Sequence, residues 1–248
     1  MNKYFFTAVC FFSLSVYAGD KDDKCDFSVG ADIVSSYLWR GTVYSGASIQ
    51  PAMEFNVGGF SLGAWGSVDF SSMGFGYKEV DLIASYSFGN FTAGFFNFWP
   101  GWEGEYNYFD YSKSTAHVLE ANLLYSFDPF PLTLGWNTMI AGNDKYLDKN
   151  GKEKRAFSTY VEATYSFSVK DVKLDLALGA SLWKSSVLYT CDMLYNSRQG
   201  TDGFAVVFTS LMASKNIKIT DNYSLPIFGQ LAFNPAKEDA FFVFGIKF

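Results

Sequence analysis

From residue 27 to its end the chain alternates. Apolar side chains fall on one parity and small or charged ones on the other, and a period of two belongs to strands with two different faces. From Phe27 to Arg40 one parity carries Phe27, Val29, Ala31, Ile33, Tyr37 and Trp39, while the other carries Ser28, Gly30, Asp32, Ser36 and Arg40. Around 78–88, Val80, Leu82, Ala84, Tyr86 and Phe88 oppose Glu79, Asp81, Ser85 and Ser87. At 117–127, Leu119, Ala121, Leu123, Tyr125 and Phe127 oppose Glu120, Asn122 and Ser126; at 157–167 the opposed pair of sets is led by Val161 and Tyr160. At 172–182, Leu174, Leu176 and Leu178 oppose Lys173, Asp175 and Gly179. Twelve such segments occur, each about nine to fourteen residues long. Soluble strands average roughly five or six residues, so this length suits strands tilted across a membrane.

The links alternate too. Gly58-Gly59, Gly89-Asn90, Asp128 to Pro131 and Val169-Lys170-Asp171 are short and of turn type. Longer links fall near 41–49, 71–77, 100–113, 143–155, 185–201 and 234–239. Short turns at one end and long loops at the other are the pattern of an outer-membrane barrel. The expected fold is all-β: a transmembrane antiparallel up-and-down β-barrel of about 12 strands over residues 27–248, with both termini periplasmic. Irregular patterning near 202–234 leaves the strand count open by two, because Ile217 and Ile219 fall where a turn is needed and Pro226 falls in a strand.

Composition agrees once the period is known. The chain is 49% hydrophobic and 20% aromatic, yet its mean hydropathy is +0.04 and no run of 18 apolar residues exists. Alternation cancels the average; the missing apolar run argues against a helical membrane protein, and the aromatic content rules out a disordered chain. A net charge of −6 leaves no footprint for nucleic acid.

Residues 1–18 read as a cleaved signal peptide: Asn2-Lys3, an apolar stretch from Tyr4 to Leu14, then Val16 and Ala18 as the small residues of the cleavage site. Residues 19–26 are then a short periplasmic segment. Cleavage removes Cys10 and leaves Cys25 and Cys191, which the topology places at opposite ends as two unpaired thiols. The last strand, Ala240 to Phe248, alternates into a terminal Phe. It resembles the signal read by the bacterial barrel-assembly machinery, which is the expected partner together with outer-membrane lipid in a Gram-negative cell.

Ser35-Ser36-Tyr37-Leu38-Trp39-Arg40-Gly41 followed by Gln50-Pro51-Ala52 resembles the opening motif of the TorF-type porin family. Gly63 to Phe70 and Glu79-Val80-Asp81-Leu82 continue the likeness. It covers roughly residues 30–90 and implies an outer-membrane barrel of porin type.

Charges on the inward parity are Asp32, Glu54, Asp69, Asp81, Glu120, Glu162 and Asp175, opposed by Arg40, Lys173 and Lys247. An acidic lumen favours cations, so one expectation is a small passive channel for ions or polar solutes. The other is a closed barrel with a structural or surface-binding role through its aromatic extracellular loop, its interior charges paired and Arg40 bonded to acids near the outer rim. Phe98 to Tyr111 is dense in aromatics, and Trp99, Trp102 and Tyr106 are candidates for stacking on a ligand; an interface girdle or a folded-over loop explains them as well. No enzymatic role is expected, because His117 is the only histidine and sits on the lipid parity at the outer start of its strand. No cofactor or metal is expected: the acids of Asp144 to Glu153 lack calcium-loop spacing, and Asn150-Gly151 reads as a hairpin tip.

Overall fold

The computed structural model describes residues 25–70, 76–102, 107–186 and 201–248, with backbone only at Trp102. Residues 1–18, where the sequence pattern expects a signal peptide, and with them Cys10, lie outside the described residues, as do Tyr106 and Cys191; Cys25 is exposed. In chain order the strands begin with β1 (Asp26–Val34), β2 (Tyr37–Trp39), β3 (Thr42–Ser45), β4 (Ser48–Val57), β5 (Phe60–Asp69) and β6 (Tyr77–Phe88). They continue with β7 (Phe91–Phe98), β8 (Pro100–Trp102), β9 (Val118–Ser126), β10 (Leu132–Gly142), β11 (Lys145–Leu147) and β12 (Glu153–Arg155). The last are β13 (Thr159–Val169), β14 (Val172–Ser181), β15 (Ala205–Lys218), β16 (Ser224–Asn234) and β17 (Asp239–Lys247).

Twelve of these, β1, β4–β7, β9, β10 and β13–β17, pair antiparallel with their neighbours and close into a barrel. Closure is made by β17 against β1, in register Asp32↔Lys247 to Val34↔Gly245, and extended by Phe248 N donating to Ala31 O at 2.9 Å. A closed sheet leaves no unpaired edge. β8 carries the β7 edge onward along β6 past Trp99. The irregular stretch resolves into β15 and β16, paired from Thr209↔Phe233 to Lys218↔Ser224. Pro226 is tolerated because it precedes the β17 ladder, which starts at Ile227↔Ile246, so its missing N–H breaks no bond there.

The two parities separate as outside and inside. Phe27, Val29, Leu62, Leu82, Phe95, Leu178 and Phe242 are exposed on the outer wall, whereas Ser61, Ser85, Asn122, Asp175 and Gln230 are buried. At the end with the short turns, outward rings form a chain: Phe88–Phe91 at 5.6 Å, Phe91–Tyr125 at 4.6 Å, Tyr125–Phe127 at 4.7 Å and Tyr165–Phe167 at 5.9 Å. At the loop end Trp136 and Trp183 lie 6.2 Å apart, their indole N–H groups donating to Thr138 Oγ1 and to the Phe157 carbonyl.

The interior is filled on its loop side. Gly179 is where the wall makes room: a Cβ there would lie 2.0 Å from Tyr160 Oη, and Tyr160 is 1% exposed with nowhere to go. Gly179→Val is therefore expected to lower unfolding stability by about 1–3 kcal/mol, read as the urea midpoint in detergent. Gly229→Ala, whose Cβ would meet only the Phe242 ring at 3.9 Å, is expected to leave that midpoint in place.

Candidate functional site

The motif Ser35 to Gly41 does not continue β1. The expected strand from Phe27 to Arg40 stops at Val34, and residues 37–45 turn into the barrel as the β2–β3 hairpin. Tyr37 and Trp39, placed on the lipid parity by the sequence pattern, are 1% and 6% exposed. The reason is local. Trp39 pairs with Thr42 across a two-residue turn, Arg40-Gly41, and both turn residues have positive φ, 47° and 77°. That is the geometry of a type I′ turn, whose right-handed twist suits a tight hairpin. Glycine accepts it freely; an arginine in the left-handed region is strained, so other contacts must hold it.

Those contacts reach most of the wall. Arg40 Nη1 and Nη2 donate to Glu120 Oε2 and Oε1 of β9 at 2.5 and 2.9 Å, a two-pronged pair with side chains 7% and 0% exposed. The guanidinium also lies 4.4 Å over the Trp39 ring and 4.5 Å over the Tyr160 ring of β13. Asn234 Nδ2 of β16 donates to Gly41 O at 2.9 Å. On the opposite side Tyr37 packs on Trp65 of β5 at 5.4 Å and Tyr77 of β6 at 6.1 Å, and Trp39 packs on Phe98 of β7 at 5.5 Å. At the hairpin's base Ser35 exchanges bonds with Phe244 of β17, N to O at 2.8 Å and Phe244 N to Ser35 Oγ at 2.9 Å. The inserted hairpin and the inward rings form one buried apolar cluster across the loop-side lumen.

Of the acids on the small-residue parity, Asp81, Glu120, Glu162 and Asp175 are buried, and most of the set is occupied. Glu120 holds Arg40, Asp175 holds Lys173 at 3.0 Å, and Asp32 holds Lys247 at 3.1 Å. Glu54 accepts from Ser61 at 2.5 Å, and Ser166 donates to Asp175. Glu162 accepts from Tyr160 at 2.5 Å and Thr164 at 3.0 Å, and Asp81 from the Trp99 amide at 3.3 Å. Asp69 is half-buried at the loop end of β5. Glu79, an eighth acid on the same parity, is buried beside Asp81 and accepts from Tyr77 at 2.6 Å. Carboxyls still outnumber cations inside. Towards the short turns hydroxyl pairs also line the wall beside Glu54, Lys173 and Asp175, with Ser87 and Thr92 bonded at 2.9 Å and Ser126 and Thr133 at 3.2 Å.

The aromatic segment divides. Phe98 and Trp99 are 5% exposed, so Trp99 is a packing residue and not a surface for stacking a ligand; it meets Tyr108 at 5.4 Å and His117 at 6.5 Å. Trp102 contributes backbone to β8, and Tyr106 lies outside the described residues. His117 is 4% exposed, not open to lipid, because the loop before it folds over its ring. Its Nδ1 faces Asn97 Oδ1 at 3.1 Å, its Nε2 faces the Tyr108 carbonyl at 2.6 Å, and Tyr111 stacks on it at 4.4 Å.

The β11–β12 hairpin has its tip at Asn150-Gly151, where Gly151 has φ of 72°. Backbone N–H groups of Lys152 and Asn150, then the Lys154 ammonium, hold the Asp148 carboxyl below its ordinary value. A lowered folded value stabilises the tip above the unfolded pKa of about 3.9, and that contribution is lost as pH falls through the lower folded value. Amide protection at Asn150 and Lys152 is expected to drop over that acidic range and to be flat from pH 5 to 8, measured by hydrogen exchange.

No protein-family profile matches the chain, and no curated protein is similar to it at a meaningful level. Among solved structures, one from "Unveiling the Mechanism Behind the in-meso Crystallization of Membrane Proteins" superposes with a TM-score of 0.45 at 7% identity, over 90% of this chain and 83% of its own.

Proposed function

We propose that this chain is a β-barrel of a Gram-negative outer membrane, shut by its own β2–β3 hairpin, through which small cations pass when that hairpin yields. The observation that carries the reading is the buried, two-pronged Arg40–Glu120 pair, which fastens a turn in the lumen to the barrel wall. A charge pair is worth burying only where geometry is good, and it becomes a weak point if either partner is lost. Such a pair is a latch.

Support for the membrane comes from the outer wall. Phe27, Val29, Phe95 and Phe242 are 61%, 70%, 57% and 74% exposed among many other bare apolar residues, an outward apolar face of a kind soluble monomers rarely carry. The ring chain at the turn end and the tryptophan pair at the loop end suit the two interfacial girdles of a barrel. The likeness of residues 30–90 to TorF-type porins points the same way, and the terminal Phe248 suits assembly-machinery recognition with both termini periplasmic. Cation preference rests on the surplus of interior carboxyls. His117, tied to an amide and a carbonyl, supports a role outside catalysis.

The test is potassium release from liposomes by the whole barrel and by a variant in which residues 37–45 become a Gly-Ser linker. The parent is expected to leak at background, and the variant to release potassium faster than chloride. A parent that leaks steadily, or a folded variant that stays tight or prefers chloride, contradicts the proposal.

A further inference from the structure

Outside the lumen, the loop end of the barrel wall carries a cleft of about 760 Å³. Its floor is the outward face of β7, β9 and β10 at Asn97, Leu119 and Ala141, closed on one side by the stacked Tyr111–His117 pair. Its rim is basic: Lys113, Lys145, Lys154 and Arg155, against the single acid Glu153. That is a reversal of the chain's character, since its net charge is −6.

The bases are not all spent on protein partners. Lys145 donates to the Lys113 carbonyl at 2.8 Å and meets Glu153 at 3.3 Å, and Lys154 pairs with Asp148 at 3.1 Å. Among the described residues Lys113 and Arg155 face no carboxylate; Arg155 lies 6.0 Å over the Phe157 ring. Around the cleft Phe109, Tyr111, Leu147 and Phe157 are 81%, 64%, 65% and 51% exposed. Cations above bare apolar side chains on the outside of a barrel call for a ligand with an anionic head and acyl tails.

We propose that this cleft binds a phosphate-bearing acyl lipid of the outer leaflet, with Lys113 and Arg155 on the phosphate and the tails running down the wall past Leu119. The volume lies in the range of small-molecule sites, roughly 300–1,000 Å³, and holds a headgroup but not the tails. Fixed bases at a membrane surface each contribute about 1 kcal/mol toward an anionic lipid, or about fivefold in affinity. The proposal rests on the membrane reading above.

The experiment uses the full-length barrel stripped of lipid in a neutral detergent, titrated with diphosphorylated lipid A, with phosphatidylcholine and with inorganic phosphate, and read by native mass spectrometry. Lipid A is expected to remain bound where phosphatidylcholine does not, and the Lys113→Gln/Arg155→Gln variant to bind it roughly 25-fold more weakly with an unchanged unfolding midpoint. Equal retention of phosphatidylcholine, equal binding by the variant, or inorganic phosphate displacing the lipid at matching concentration overturns the proposal. Flotation with phosphatidylcholine liposomes separates the two readings: a barrel that does not float overturns both, and one that floats without lipid A preference overturns only this one.

Discussion

Arg40→Ala is expected to turn a quiet barrel into a conducting one. The substitution leaves Glu120, 0% exposed, without the guanidinium that opposes its charge, while Asn122 still donates to it at 2.6 Å. Breaking a buried pair from one side costs about 3–5 kcal/mol. The chain escapes that cost by withdrawing the hairpin and letting water reach the carboxylate. A shift of that size moves the shut–open balance by roughly two to three and a half orders of magnitude. Planar-bilayer recordings should show cation-selective steps for the variant under voltages where the parent shows none. Arg40→Lys should give an intermediate result, because an ammonium cannot make the two-pronged contact or lie flat on Trp39 and Tyr160. In the double variant Arg40→Ala/Glu120→Ala, the stability loss should be smaller than for Arg40→Ala alone, since no buried charge is stranded.

Gly41→Val is the second large effect, and it acts by shape alone. Any Cβ at this position would lie 1.9 Å from the Val207 carbonyl oxygen, a backbone atom in the wall of β15. The φ of 77° is closed to a β-branched residue in any case. The turn then cannot seat, Asn234 loses the Gly41 carbonyl, and Arg40 is carried away from Glu120 although both residues remain. Conductance should rise as for Arg40→Ala. The barrel itself should still fold, because the β15–β16 and β16–β17 ladders do not involve the hairpin. A Gly41→Val barrel that folds and stays shut would separate the turn from the seal.

The period of two made the wall legible: the long antiparallel strands and the alternation of short and long links follow from it. What parity cannot see is a segment that leaves the wall. Tyr37 and Trp39 continue the β1 alternation in phase, so the pattern sends them to lipid; Ser35 and the Arg40-Gly41 turn send them inside. The signal was a run ending in Arg-Gly with paired serines in its middle. Trp99 and His117 failed for a related reason, since a loop folding back over the rim buries rings that the strand pattern leaves outside. Glu79 was visible in the alternation beside Asp81, and it is held by phenols: Tyr77, two residues back on the same face, and Tyr37 of the inserted hairpin.

Thiol labelling of a Thr42→Cys variant tests directly whether the hairpin sits in the lumen and seals it. Thr42 is 1% exposed and its hydroxyl makes no hydrogen bond among the described residues, so cysteine fits with little disturbance. With Cys10, Cys25 and Cys191 replaced by Ser, a small hydrophilic maleimide added to the folded barrel should react with the introduced thiol at least a hundredfold more slowly than after unfolding, a ratio of about 2.7 kcal/mol in protection. Adding Arg40→Ala to the same protein should bring back most of that rate. Rapid labelling of the folded Thr42→Cys barrel with Arg40 in place would mean that the hairpin lies outside the lumen and does not latch the barrel.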